Sequence, residues 1–308
     1  MQYTTFGRTG LKVSRLAFGA GPIGYLGASE DAAARVLNLL LDRGVNVIDT
    51  AAAYLGSEEL IRKAVGHRRD EFILISKCGR QVDGVEGEDW SARLVAESVD
   101  RSLRRLGTDR LDVMLLHTPK LEVLERGEAL GALVRAREAG KIRFAGFSGD
   151  NEAAVHAAGL PEVDVLMCSL NICDQANLDA ALPAAARSGV AVIAKRSVAN
   201  AAWKPAEAQA GIYQSYAQPY RERFQAMGLD PRELGFPDPE PWLEIALRFT
   251  LAEPAVHVLS VGTTSPANAE ANLRLLESGP LPAAVVARIR AVFAGARSAA
   301  GSPWPGLT

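Results

Sequence analysis

The sequence predicts an α/β fold, a (β/α)8 (TIM) barrel entered through an N-terminal β-hairpin and read as one domain over residues 1–308. Three observations predict it. Eight short apolar runs recur along the chain, segments of helical period separate them, and the runs are apolar almost throughout, as strands covered on both faces are. Eight such units favour a closed barrel over an open doubly wound sheet, which usually has fewer strands.

The elements follow in order. "FGRTG" lies between two short β-like runs within the first fourteen residues and reads as a hairpin with a glycine turn. The barrel strands are read at 15–21, 46–51, 72–78, 111–117, 142–148, 163–170, 191–197 and 258–263. "SEDAAARVLNLLLDRG" is the clearest helix: Ser29 caps it, Val36, Leu37, Leu40 and Leu41 share a face, and Gly44 follows its end. Further helices are expected at 57–65, 91–106, 126–139, 177–188 and 240–252, and one more starting near Pro266. "GAGPIG" supplies G-x-G-x-x-G at Gly19, Gly21 and Gly24, but no acidic residue ends a following strand about 20 positions on, so it is a weak dinucleotide signal. Between the seventh strand and the helix at 240, residues 199–239 form a connection too long for a plain loop. Trp203, Tyr213, Tyr216, Tyr220 and Phe224 argue that it is ordered, and it is read as a lid.

Composition narrows the function. With 34 Lys and Arg against 36 Asp and Glu the net charge is -2, and no basic block appears, which argues against a general nucleic-acid binder. The N-terminus lacks the charged and apolar regions of a signal peptide, and no stretch has the 18 apolar residues of a membrane span. The expectation is a soluble cytoplasmic protein with a small-molecule partner and neither nucleic acid nor membrane. Cys78, Cys168 and Cys173 are odd in number and lack a zinc spacing, so they read as free thiols, and no metal site is expected.

Chemistry in such a barrel sits at the C-terminal ends of the strands. There the second strand ends at Asp49, the third at Lys77 and the fourth at His117, with Tyr54 in the loop after the second. Taken singly, each has an ordinary explanation: a turn cap, a lysine reaching solvent, a satisfied core histidine, a packing aromatic. Together they form a coherent set. A phenol is a poor acid at neutral pH, a neighbouring ammonium makes it a better one, and a carboxylate is needed to keep a buried ammonium charged. A neutral imidazole can orient a carbonyl. Tyr54 would then deliver a proton to a carbonyl oxygen while hydride reaches carbon from elsewhere.

At these residues the chain resembles the aldo-keto reductase family. The matching stretches are "FGRTGLKVSRLAFGAG", "NVIDTAAAYLGSEELIRKAV", "FILISKCG", "SLRRLGTDRLDVMLLHTP", "GKIRFAGFS" and "VGTTSPANAEANL", which together run over nearly the whole chain. The resemblance implies a barrel that binds NADPH, or NADH, without a Rossmann domain, and a catalytic tetrad of Asp49, Tyr54, Lys77 and His117. It also implies cofactor contacts from Ser148, Asn171, Lys195, Arg196, Gly262, Thr263, Thr264, Ser265, Asn268 and Asn272. Several of these depart from the family's pattern. Ser148 is followed by Gly149 in place of asparagine, with Asn151 as a substitute. Met167 replaces a glutamine, and Lys195 and Arg196 stand where an aromatic ring usually stacks and are read as cations for a diphosphate. Gly262 and Asn268 hold positions usually basic.

The implied activity interconverts an aldehyde or ketone and its alcohol. An alternative is a cofactor-binding barrel acting as a sensor or regulatory subunit with vestigial catalysis. A lyase or isomerase on the same barrel would bind no nucleotide. Tyr25, Trp90, Trp203 and Trp304 are candidates to line the substrate pocket.

Overall fold

The computed structural model describes residues 1–238 and 240–307. A two-stranded antiparallel sheet pairs β1 (Tyr3–Thr5) with β2 (Lys12–Ser14), joined by a turn at Gly7–Thr9. Eight parallel strands follow: β3 (Leu16–Gly19), β4 (Val47–Asp49), β5 (Ile73–Cys78), β6 (Leu111–His117), β7 (Ile142–Ser148), β8 (Val165–Ser169), β9 (Ala191–Lys195) and β10 (Val258–Val261). They pair in chain order, and β10 pairs with both β9 and β3, so the barrel is closed. Each corresponds to one expected run.

The period of two along a strand decides what the barrel contains. Val47, Ile73, Ile75, Val113, Leu115, Val165, Met167, Ala191, Ile193 and Val258 form one inner apolar cluster, to which Phe6 and Val13 of the hairpin add a floor. The intervening residues Ile48, Leu74, Met114, Leu116, Leu166 and Val192 belong to a second, outer cluster packed under the helices. Two residues above the last inner apolar side chain, the same inward parity falls on Asp49, Lys77, His117, Ser169, Lys195 and Ser260. The barrel is thus oily to its last layer and polar at its C-terminal rim.

The helices keep their expected signals. Ser29 accepts from the Ala32 amide at the start of Glu30–Asp42, and Ser91 accepts from Leu94 at the start of Ala92–Leu106. The helix expected at 126–139 is Glu128–Glu138, with a separate short helix, Leu121–Arg126, before it and Gly127 in a left-handed conformation between them. One expected helix is interrupted. That at 177–188 becomes a 3-10 turn, Ala176–Asp179, and a helix, Ala181–Ser188. Residues 199–238 are ordered around a helix, Tyr213–Met227, despite Pro219 within it. Asn151–Gly159 and Ala283–Ala299 are helices without an expected counterpart, because alanine supplies propensity there without a strong apolar stripe. No helix among the described residues is long and apolar enough to cross a membrane.

Candidate functional site

Strand parity brings three of the four expected groups onto the rim, and one loop adds the fourth. The Lys77 ammonium donates to Asp49 Oδ1 at 2.6 Å, to the Thr50 carbonyl at 2.8 Å and toward the Tyr54 hydroxyl at 3.4 Å. Ser260 donates to the other Asp49 oxygen at 3.1 Å. Burial works against the Lys77 charge, but Asp49 and Tyr54 outweigh it and hold the pKa above the ordinary lysine range. The Tyr54 and His117 rings meet edge to face at 5.9 Å. Burial pushes His117 well below the usual histidine range, and Lys77, Lys195, Arg80 and Arg196 act in the same direction, so the imidazole is neutral at pH 7.

Local packing fixes the tyrosine loop. Ala52 donates from its amide to the Lys77 carbonyl at 3.1 Å, and the Thr50 and Ser57 hydroxyls share a buried 2.6 Å hydrogen bond. Gly24, in the short helix Gly21–Tyr25, lets that helix lie on the loop, since a Cβ there would stand 3.0 Å from the Leu55 carbonyl. Tyr25 packs on Tyr54 with ring centroids 5.3 Å apart, and burial raises its own phenol to about 12. The described non-glycine residues with positive φ include Thr118, Asn151 and Arg196, each just beyond the end of β6, β7 or β9. Such conformations cost about 1–3 kcal/mol each, and here they collect at the rim.

Across the mouth the expected cofactor residues have other partners. Lys195 is not a free cation for a diphosphate: its ammonium lies 3.1 Å from Asp150, largely buried. Arg196 donates to the Leu307 carbonyl and lies over the Tyr216 ring. Asn151, read as the substitute for the missing asparagine after Ser148, has its amide group engaged by Gly306, accepting from its N–H at 2.7 Å and donating to its carbonyl at 3.0 Å. Asn171 donates to the Arg196 carbonyl and accepts from Cys173. The segment Trp304–Leu307 therefore lies across the ends of β7, β8 and β9. Arg223 donates to the Pro305 carbonyl, Ser169 donates to the Leu307 carbonyl, and the Leu307 amide donates to Asp174 at 2.9 Å. Burial lifts the Asp174 carboxyl to about 6. Trp304 packs on Phe293, whereas Trp203 packs partly buried against the outer core.

Ser148 is buried at the end of β7, in register with His117, where a carboxamide could be held beside the rim. Beyond β10, Ser265 caps the helix Pro266–Glu277 and accepts from the Asn268 amide, and Thr263 accepts from Ser265. Hydroxyls of Thr263, Thr264 and Ser265 thus gather at a helix N-terminus, with Asn272 buried beneath and Arg274 exposed on the same helix. This donor set suits the phosphates of a dinucleotide. Gly262 serves the packing instead: a Cβ there would fall 2.4 Å from the Gly19 carbonyl and 2.6 Å from Pro22. Among the described residues no group of three His, Cys, Asp or Glu side chains could hold a metal ion, and all three cysteines are free and buried.

A closed parallel barrel thus gathers Tyr54, Lys77, Asp49 and His117 at its rim, and comparison with known proteins supplies the class. Residues 15–294 match the Aldo/keto reductase family, and the chain belongs to it, a family of NAD(P)-dependent oxidoreductases. Among curated relatives it is 35% identical over 158 residues to L-galactose dehydrogenase of Arabidopsis thaliana, covering 48% of this chain and 49% of that protein. It is 28% identical over 219 residues to D-threo-aldose 1-dehydrogenase of a Pseudomonas species, covering 60% and 66%. The match spans about half the length of the first of these. The holo form of aldo-keto reductase AKR11C1 from Bacillus halodurans superposes with a TM-score of 0.79 at 28% identity, over 95% of this chain and 96% of that one.

Proposed function

We propose that this chain is an NAD(P)(H)-dependent oxidoreductase that interconverts an aldehyde or ketone and its alcohol, with Tyr54 as general acid and base. The observation that carries this reading is the Lys77 ammonium, held charged by Asp49 and directed at the Tyr54 hydroxyl. A bound nicotinamide cofactor supplies the hydride. Tyr54 gives its hydroxyl proton to the carbonyl oxygen as the carbon is reduced, and Lys77 stabilises the phenolate left behind. Neutral His117 orients the carbonyl. In the oxidative direction the same phenolate takes the alcohol proton.

Ser148 and Asn171 are assigned to the nicotinamide end and Thr263 to Ser265, Asn268 and Asn272 to the phosphate end. NADPH is the expected nucleotide, with NADH also accepted. The chain is read as one domain, 1–308, with 199–239 as its lid, of which Pro239 and Thr308 lie outside the described residues. Loss of nicotinamide absorbance with a panel of aldehydes and ketones tests the reading. Nucleotide binding without consumption of any carbonyl would favour the sensor alternative, and no nucleotide binding would overturn both.

A further inference from the structure

Just past β5, one residue after Gly79, Arg80 lies on the side of the mouth away from Arg196. It donates from Nε to the His117 carbonyl at 3.3 Å and from Nη2 to the Thr118 carbonyl at 3.3 Å and the Thr118 hydroxyl at 2.9 Å. Its guanidinium lies 5.6 Å from the centre of the Trp90 indole. Each of these partners is neutral. The two other cations with a rim-facing β-strand position, Lys77 and Lys195, are matched by Asp49 and Asp150, whereas Arg80 has no carboxylate partner among the described residues.

The support beneath Arg80 is built at a cost. Trp90 is held at φ 69°, which an aromatic residue rarely adopts, and its amide donates to the Gly79 carbonyl at 2.8 Å. Gly79 itself sits at φ 109°, and a Cβ there would fall 2.2 Å from the indole, so only glycine admits the ring. A strained tryptophan packed into a missing side chain, with an arginine laid on it, is a preorganised guanidinium. Three backbone and hydroxyl contacts fix its direction and leave its charge unmatched, beside His117.

We propose that Arg80 on Trp90 is a binding site for an anionic group of the substrate, so that the preferred substrates carry a carboxylate or phosphate a few bonds from the reacting carbonyl. This rests on the oxidoreductase reading and adds the substrate class to it. The Nη1 N–H groups, which those three contacts do not use, can donate to either anion, and Arg80 is exposed at the rim and so open to a ligand. Neutral sugars would meet the same donors without the charge.

Two matched pairs distinguish the sources: 4-oxobutanoate against its methyl ester, and glyceraldehyde 3-phosphate against glyceraldehyde. Each is titrated into the full chain with nucleotide present, following tryptophan fluorescence, and the turnover of each is measured separately. The charged member of one pair should bind about tenfold more tightly or better, as expected for a charge-assisted contact, with the advantage shrinking in high salt. Arg80→Gln keeps a donor for the Thr118 carbonyl and should bring the ratio close to one, while Arg80→Lys keeps part of it. If neither folds, Trp90→Leu should lower the ratio by removing the platform. Equal binding of charged and neutral members, or an advantage that survives Arg80→Gln, would overturn the anion site. A charge advantage in binding with no nicotinamide consumed would leave the site standing and sink the oxidoreductase reading; turnover indifferent to charge would do the reverse.

Discussion

The ammonium of Lys195 lies 3.1 Å from the Asp150 carboxylate, on a strand four positions around the barrel from that of Lys77. The mouth thus holds two buried ion pairs on opposite walls. The Lys77 ammonium is also directed at the Tyr54 hydroxyl, at 3.4 Å. Asp150 also accepts from the Ser169 amide at 2.6 Å and from Asn177 at 2.8 Å, so the second pair ties β7, β8 and β9 together.

Breaking that tie should cost stability. Lys195→Met removes the ammonium 3.1 Å from the buried Asp150 carboxylate and should lower the unfolding free energy by about 3–5 kcal/mol. Asp150→Asn added to it removes the less well compensated charge and should recover much of the loss. Urea titrations of both variants check this, and equal midpoints for the single variant and the parent would contradict it.

Tyr54→Phe removes the proton donor and no nucleotide contact. Carbonyl reduction should fall by about 10²–10⁴-fold, the usual worth of a general acid, with the dissociation constant for nucleotide nearly unchanged. Steady-state rates and fluorescence titration measure the two effects separately.

The acid limb of the stability curve should have two opposed contributions. His117 is neutral in the fold and takes a proton when unfolded near its ordinary value of about 6.5, so its contribution is present above that pH and is lost as pH falls below it. Asp174 behaves oppositely. Its carboxyl titrates near 6 in the fold against 3.8 ordinarily, so its contribution is lost as pH rises through that window. Asp174→Asn should therefore expose the histidine limb, steepening the loss of stability from pH 6 to 4 by about 1.4 kcal/mol per pH unit. Denaturant unfolding at stepped pH values measures it, and an unchanged slope would remove Asp174 from the account.

We expect nucleotide and the Trp304–Leu307 segment to compete for the same wall. If the nicotinamide end of a cofactor settles at Ser148 and Asn171, contacts of Asn151 and Arg196 to Gly306 and Leu307 should loosen. Hydrogen exchange at the Gly306 and Leu307 amides should then quicken on adding NADPH; slower exchange would mean that the segment closes over the nucleotide instead. With Arg196 already engaged, Arg274 is the exposed cation left near the phosphate end. NADPH should be preferred over NADH by only about tenfold, roughly 1.4 kcal/mol, and Arg274→Ala should erase most of that preference.

The period of two made most of the rim readable. V-x-D, I-x-I-x-K and V-x-L-x-H each step from an apolar layer to a polar one, and Asp49, Lys77 and His117 stand where that step predicts. The same step in V-x-S of β10 pointed to Ser260 and in β8 to Ser169, yet a serine at a strand end is too common a residue to stand out. Lys195 and Arg196 were legible as cations but not as engaged ones, because their partners, Asp150 and the Leu307 carbonyl, lie 45 and 111 positions away in the chain. Arg80 escaped for a related reason: its meaning depends on the backbone of Gly79 and Trp90, and no periodicity encodes a positive φ. The helices that were missed follow Ala-rich or proline-containing segments, where propensity and pattern point in different directions.

The pairing of β3 with β10 makes a seam between residues 16–18 and 259–261, where the first and last strands of the sheet meet and close the barrel. Until it shuts, two strands offer bare backbone to any passing neighbour, the hazard from which a closed barrel is otherwise exempt. Ser260, which steadies Asp49, sits on the C-terminal side of that seam. A half-assembled chain therefore lacks one of the supports of its own acid, and the interval in which it is most apt to aggregate is also one in which it has little chemistry to offer.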